Sequence, residues 1–352
     1  MIINLRPSLM NPRQNKDLKY GSTSGYHPEI INTRAIGGYF GLELANHKNL
    51  YHDHLTRVNY GRSALEYILR AKGYKKLYIP YYICDVILQP LIKLNVEYEF
   101  YHINTNLEPK VDHLEDHSAL LQVNYFGLMN NRLPALKEKY SELIVDNSMA
   151  FFSKPIQSIH CFYSPRKFFG VPDGGFAFID SENPETIRTK DISFHRTSHL
   201  LKRLDVGPEK GYDDFKNNEL ASNNPPLVEM SRLTEKILRS IDYQAVIEKR
   251  NDNFACLHSH LQPYNEFTPI IEQSFIHGPM AYPFLKKGNS GLRRYLIENR
   301  IYVAQYWPNI PKWIKNPYLP ELYLFENLIP LPIDQRYDSE DMKRILEVIQ
   351  NF

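Results

Sequence analysis

Asp146 and Lys167 are the two residues whose types and placing could do chemistry together. Asp146 closes the short apolar run Leu143-Ile144-Val145, of the kind buried in a parallel sheet. A second run, Ile159 to Tyr163, ends in a turn at Ser164-Pro165 and then presents Lys167. A glycine-rich loop, Gly170 to Gly175, follows, and Phe176 to Ile179 begins another strand. Ligands of open α/β sheets bind beyond the carboxyl ends of the strands, so both charges are expected at one place. The pair reads as an ion pair at a strand end, as two unrelated surface charges, or as the two contacts that pyridoxal phosphate requires. That cofactor needs a lysine to hold it covalently and a carboxylate against its pyridine nitrogen. The carboxylate keeps the nitrogen protonated, which lets the ring accept electrons when a substrate C–H bond breaks.

The segment resembles the core of the DegT/DnrJ/StrS family of sugar aminotransferases, which are fold-type I pyridoxal-phosphate enzymes. Asp146, the run Phe162-Tyr163-Ser164-Pro165-Arg166-Lys167 and the loop Asp173-Gly174-Gly175 take the places of the family's acidic strand end, its lysine turn and its acidic Gly-Gly loop. The similarity extends over residues 36–350. It implies an α/β fold of type I, with a large domain built on a mostly parallel, doubly wound sheet and a smaller C-terminal α/β domain. It also implies a homodimer with the site at the subunit interface, and amino transfer from glutamate to the keto group of a nucleotide-linked sugar, for surface polysaccharide. Lys167 would then be the catalytic residue, holding the cofactor and afterwards moving a proton as a base. Relatives that remove a sugar hydroxyl typically carry histidine in place of the lysine, so Lys167 counts against that chemistry. A degenerate, non-catalytic regulator stays open.

The resemblance assigns further cofactor contacts. A strand turns at Gly61 into a helix whose Leu65, Ile68 and Leu69 recur at helical spacing. Such a helix start suits a phosphate. Tyr60-Gly61-Arg62 stands where the family has Ser-Gly-Thr, so Arg62 replaces a threonine and Ser63 offers the nearby hydroxyl, although a serine here also reads as a helix cap. Tyr82, with Tyr81 beside it, is the ring expected on the pyridine face, although the family's ring often lies two residues later, at Cys84. Ser164 substitutes for a family serine whose own place holds Phe162. Met149 stands where the family has Gln or His, and Asn124 takes the place of a histidine. Asn224, before Pro225-Pro226, matches an asparagine that reaches the neighbouring subunit's cofactor phosphate; turn chemistry explains it equally well.

The surrounding chain must position these groups. Its 352 residues are 43% hydrophobic and 23% charged, enough for a large core with ordinary surface chemistry. A net charge of +2 makes no electrostatic case for nucleic acid. The three cysteines, Cys84, Cys161 and Cys256, lack metal-like spacing and fit reduced thiols. No stretch approaches the ~20 apolar residues of a membrane span, and the amino terminus lacks a signal-peptide pattern, so a soluble, cytoplasmic protein is expected. The division read from the sequence is an arm over residues 1–35, a cofactor-binding domain over 36–225, and a linking helix with a small domain over 226–352. Strands are expected at Lys76–Pro80, Val96–Tyr101, Leu120–Gly127, Met280–Phe284 and Ile301–Tyr306, with a further run at Asn327–Ile333. Helices are expected from Leu133 to Tyr140, Leu227 to about Ser259, Gly291 to Asn299 and Ser339 to Ile349. Residues 181–225 read as a polar surface excursion, in which His195 and His199 show no zinc-ligand spacing.

Overall fold

The structure, a computed structural model, describes residues 36–47, 49–180, 186–272 and 275–352; the expected arm lies outside them, as does the opening of the polar excursion at 181–185. Contacts group the chain into two units, Met1–Glu43 and Leu44–Phe352. In the first, residues 36–43 form no helix or strand. The second carries every strand and helix among the described residues.

Nine strands are described: β1 (Thr56–Val58), β2 (Lys76–Pro80), β3 (Glu97–Tyr101), β4 (Ser118–Val123), β5 (Leu143–Asp146), β6 (His160–Tyr163), β7 (Gly175–Phe178), β8 (Ala281–Leu285) and β9 (Leu328–Pro332). The first seven form one sheet in the order β1-β7-β6-β5-β4-β2-β3. Neighbours from β6 to β3 pair in parallel, and β7 is antiparallel to both β6 and β1. Every strand but β7 therefore points the same way, and the carboxyl ends of β2, β4, β5 and β6 share one edge. Strands β4, β5 and β6 are buried along their whole length, as expected of a sheet covered on both faces. Strands β8 and β9 form a separate antiparallel pair.

The helices are α1 (Gly61–Lys72), α2 (Leu88–Leu94), α3 (Leu133–Lys139), α4 (Ser198–Val206), α5 (Pro208–Ala221), α6 (Arg232–Arg239), α7 (Tyr243–Leu261), α8 (Leu292–Glu298), α9 (Ile310–Trp313), α10 (Pro320–Asn327) and α11 (Ser339–Gln350). Leu65, Ile68 and Leu69 of α1 are all buried, as their spacing requires.

Four expectations are corrected. The run at Leu120–Gly127 is strand only to Val123, and Tyr125–Gly127 turns as a 3-10 segment. The single helix from Leu227 is two, because Ser231 caps α6 by accepting from the Thr234 N–H and Asp242 caps α7 by accepting from the Ala245 N–H. Ile301 to Tyr306 is no strand: Ile301 and Val303 are buried while Tyr302 and Ala304 face out, but the segment pairs with no neighbour. The polar excursion holds the helical hairpin α4–α5, in which only Gly211 is buried.

Candidate active site

The carboxyl end of β5 delivers Asp146 beside Val123 of β4 and Phe162 of β6, in the middle of the sheet edge. Its Oδ1 accepts the Ser148 N–H at 2.7 Å. Burial raises the pKa of the carboxyl above the ordinary aspartate value, against the opposing pull of the Lys167 charge and the Ser148 hydrogen bonds. Next along the edge, β6 ends at Tyr163, Ser164 stays extended, and Pro165–Lys167 make a single 3-10 turn closed by Phe168 N–H to Pro165 O at 2.9 Å. Pro165 suits the first position of that turn because its fixed φ is already helical. Lys167 is exposed, and its amine makes no hydrogen bond or ion pair among the described residues. The aspartate and the lysine are thus brought to one place, close enough for the charge of one to act on the other.

The start of α1 faces them. Tyr60 is extended, at φ −147° and ψ 158°, and the helix begins at Gly61. A β-carbon at Gly61 would lie 3.3 Å from Cβ of Ser164 and 3.6 Å from Oγ of Ser148, so three segments converge on this glycine. Ser63 is buried and its hydroxyl has no partner in the structure. First-turn N–H groups have no acceptor within their own helix, and the helix dipole adds positive potential there. An unpartnered hydroxyl at such a place suits an anion.

The Asp-Gly-Gly loop holds this turn from behind. Asp173 is fully buried, accepting from Ser231 N–H at 2.7 Å, from Ser231 Oγ at 2.8 Å and from Thr234 Oγ1. It thereby anchors the loop to the start of α6. Gly174 has φ +119° and donates its N–H to Asn59 O at 2.5 Å. A β-carbon at Gly175 would lie 2.4 Å from the Tyr60 carbonyl oxygen, so only glycine lets β7 press against the turn.

The remaining expected contacts are distributed unevenly. Arg62 donates from Nη1 to Gln89 Oε1 at 2.9 Å and from Nη2 to Ser222 Oγ at 3.4 Å. Its guanidinium shares the Tyr60 ring with those of Arg166 and Arg196, at 5.6, 5.5 and 5.7 Å from the centroid. Arg166 pairs with Glu219, and Arg196 with Asp191 at 2.7 Å. Asn224 is exposed, in the left-handed region at φ 47°, and its N–H reaches the same Gln89 Oε1 at 3.0 Å. The Tyr82 ring is fully buried, 5.0 Å from Trp307 and 5.6 Å from Tyr125. In that turn Cys84 is the half-buried residue whose thiol feels both Lys167 and Arg62; burial still raises its pKa. Met149 is buried and offers no hydrogen bond. Asn124 is buried in a network with Asn130, Asn147 and Ser153. Ser148 escaped the sequence reading, although its place two residues after Asp146 was a usable signal.

These residues fit pyridoxal phosphate. A carboxylate and an exposed amine meet at a sheet edge, beside a helix start with an orphan buried hydroxyl and a glycine where a side chain would intrude. The sheet defines an α/β architecture built on one large, mostly parallel seven-stranded sheet with the candidate site at its carboxyl edge. No protein-family model matches the chain, and no curated protein matches it in sequence. Solved structures do match in fold. Spr1654 from Streptococcus pneumoniae, described as a sugar aminotransferase, superposes in its apo form with a TM-score of 0.60 at 14% identity, over 84% of this chain and 85% of that one. A DegT DnrJ EryC1 StrS aminotransferase from Brucella abortus gives 0.56 at 15% identity, over 85% of each chain. PseC of Helicobacter pylori, an aminotransferase involved in the biosynthesis of pseudoaminic acid, gives 0.56 at 12%, over 84% and 86%.

Proposed function

We propose that the chain is a pyridoxal-phosphate-dependent aminotransferase that places an amino group on the keto carbon of a nucleotide-linked sugar, with glutamate as donor. The observation that carries this is Asp146 and Lys167 brought together beside the start of α1. The structural neighbours support it: Spr1654 has also been solved in pyridoxal-phosphate and pyridoxamine-phosphate forms, and NtdA from Bacillus subtilis with bound pyridoxamine phosphate. When bound, the cofactor supplies an electron sink for the bond broken at the substrate carbon. Asp146 holds a proton on the ring nitrogen by offering a buried anion. Ser63, Ser164 and the first-turn N–H groups of α1 bind the phosphate, with Gly61 giving it room. Lys167 anchors the cofactor and then carries a proton to and from the substrate carbon as a free amine.

In one chain Lys167 is open to solvent, whereas this chemistry needs water excluded. We therefore infer a homodimer whose second chain covers the amine, in the cytoplasm, feeding surface-polysaccharide synthesis. In this reading residues 36–225 bind the cofactor, and 226–352 carry the separate sheet of β8 and β9.

The test is to mix purified protein with glutamate and then with a panel of keto-sugar nucleotides. The wild type should be yellow, lose that colour with glutamate and regain it with an acceptor. Lys167→Ala should lose both the colour, after dialysis, and all turnover. A Lys167→Ala protein as yellow and as active as its parent would sink the assignment.

A further inference from the structure

Arg250 sits mid-way along α7 and is 1% exposed. Buried cations are ordinarily paired with carboxylates. Here every hydrogen bond that the guanidinium makes among the described residues goes to a neutral oxygen. Nε donates to Gln335 Oε1 at 2.9 Å, Nη1 to Pro279 O at 2.8 Å and to Met280 O at 3.3 Å, and Nη2 to Phe168 O at 3.3 Å. The guanidinium carbon also lies 4.7 Å from the centroid of the Phe168 ring. Gln335 Nε2 donates to the same Phe168 carbonyl at 2.9 Å. The cost of burying this charge shows in its pKa, which falls to about 10 although Asp334 opposes the fall.

The partners share one property. Phe168 directly follows Lys167, Pro279 and Met280 lead into β8, and Gln335 follows the end of β9. Because β8 and β9 are antiparallel, the start of β8 and the end of β9 lie side by side, and one planar fork joins the lysine turn to that end of the strand pair. Because the Lys167 amine makes no hydrogen bond or ion pair among the described residues, its aim depends on the backbone that carries it. One residue further on, the carbonyl of the Phe168–Phe169 peptide takes two donors, from Arg250 and Gln335.

We propose that Arg250, with Gln335, is the positioning device for Lys167: it fixes the Phe168–Phe169 peptide, at the exit of the lysine turn, against the C-terminal sheet and so sets where the amine points. This rests on the role of Lys167 proposed above. A lysine at position 250 could not replace the fork, since a point charge on a flexible stem cannot reach three segments at once.

The experiment reads the lysine turn as well as the reaction. Trypsin cuts after a free lysine, so cleavage of the cofactor-free protein between Lys167 and Phe168, followed by mass spectrometry, reports how readily the turn held through Phe168 O opens. Wild type, Arg250→Met, Gln335→Ala and a control, Asn253→Ala, are compared. Asn253 is on the same helix and holds the carbonyls of Ile333 and Tyr337 at 3.2 and 3.0 Å, but not Phe168. Arg250→Met and Gln335→Ala should both speed cleavage at Lys167. Both should lower kcat by roughly ten- to a hundredfold, the effect of a small misplacement of a reacting group, with KM for glutamate nearly unchanged. Asn253→Ala should lower the unfolding temperature without either change. If all three variants speed cleavage alike, or if Gln335→Ala leaves cleavage and kcat as in wild type, the clamp is only structural and the proposal falls. Gln335→Ala, at a half-buried site, carries the test should Arg250→Met fail to fold. A wild type with neither colour nor turnover would instead overturn the role of Lys167, while the cleavage comparison would still read the clamp.

Discussion

At Asp146, the role proposed above and stability oppose one another. Its folded-state pKa is raised, chiefly by burial, so the ionised form is the one the fold disfavours. For an acid shifted in this direction, the aspartate is least costly below its unfolded pKa. It becomes costly as pH rises through the raised folded value. Asp146→Asn should therefore raise the unfolding temperature of the cofactor-free protein at neutral pH. That gain should shrink as pH falls through the folded pKa toward the ordinary aspartate range. The same substitution should slow turnover, each lost power of ten corresponding to about 1.4 kcal/mol of transition-state stabilisation. A cofactor-free Asp146→Asn no more stable than wild type at pH 7 would refute the burial argument. Ser63 and Arg62 part company in a similar way. The hydroxyl is buried and unpartnered, whereas the guanidinium is engaged by Gln89 and Ser222. Ser63→Ala should weaken cofactor binding by about 1 kcal/mol, roughly fivefold in Kd. Arg62→Ala should act first on stability, by freeing Gln89 and Ser222. A cofactor titration of both variants, with unfolding curves alongside, distinguishes them.

Among the elements, the contact of β7 with the turn that opens α1 matters most. The two strands flanking that turn in space are β1, which leads into it, and β7, which lies against it at Gly175. Gly175→Ala would drive a methyl group into backbone atoms, which cannot rotate aside as a side chain can. Overpacking of this kind typically costs about 1–3 kcal/mol. The turn should move with it, so the variant should unfold at lower temperature and also release cofactor faster on dialysis. A destabilised Gly175→Ala that keeps the cofactor as firmly as wild type would show the turn to be independent of β7. The break between α6 and α7 belongs to this scale too. Asp242 at the start of α7 and Ser231 at the start of α6 are ordinary cap residues, legible beforehand, but the apolar pattern runs on across them.

For the molecule as a whole, the exposed amine of Lys167 sets the expectation. If a second chain covers it, the loaded protein should sediment as two chains, and dilution to single chains should cost activity. A fully active single chain would remove that argument. Cofactor bound only to the folded state should stabilise it by about 2.7 kcal/mol when the free cofactor is about 100 times Kd. Thermal unfolding at increasing cofactor reads this directly, and the shift should be much smaller in Lys167→Ala.

Strand β2 was legible to the residue, and β5 and β6 nearly so, because a buried parallel strand writes itself as a continuous apolar run bounded by turn residues. The place of Asp146 was legible for the same reason, since it stands at the end of such a run, and Lys167 lies in the turn that follows another. The extended stretch from Ile301 to Tyr306 reads as a strand because burial alternates along it, but a strand also needs a partner, and pairing is not written in any one segment. The same limit hid what Arg62 and Tyr82 touch. Gln89 and Ser222, or Trp307 and Tyr125, come within reach only after distant elements have packed. Local pattern, carried by neighbours in the chain, put Asp146 at a strand end and Lys167 just after one, and strand pairing brought the two to one sheet edge. What holds the turns there was decided by contacts between residues as far apart as Phe168 and Arg250, because only packing brings such groups within hydrogen-bond range.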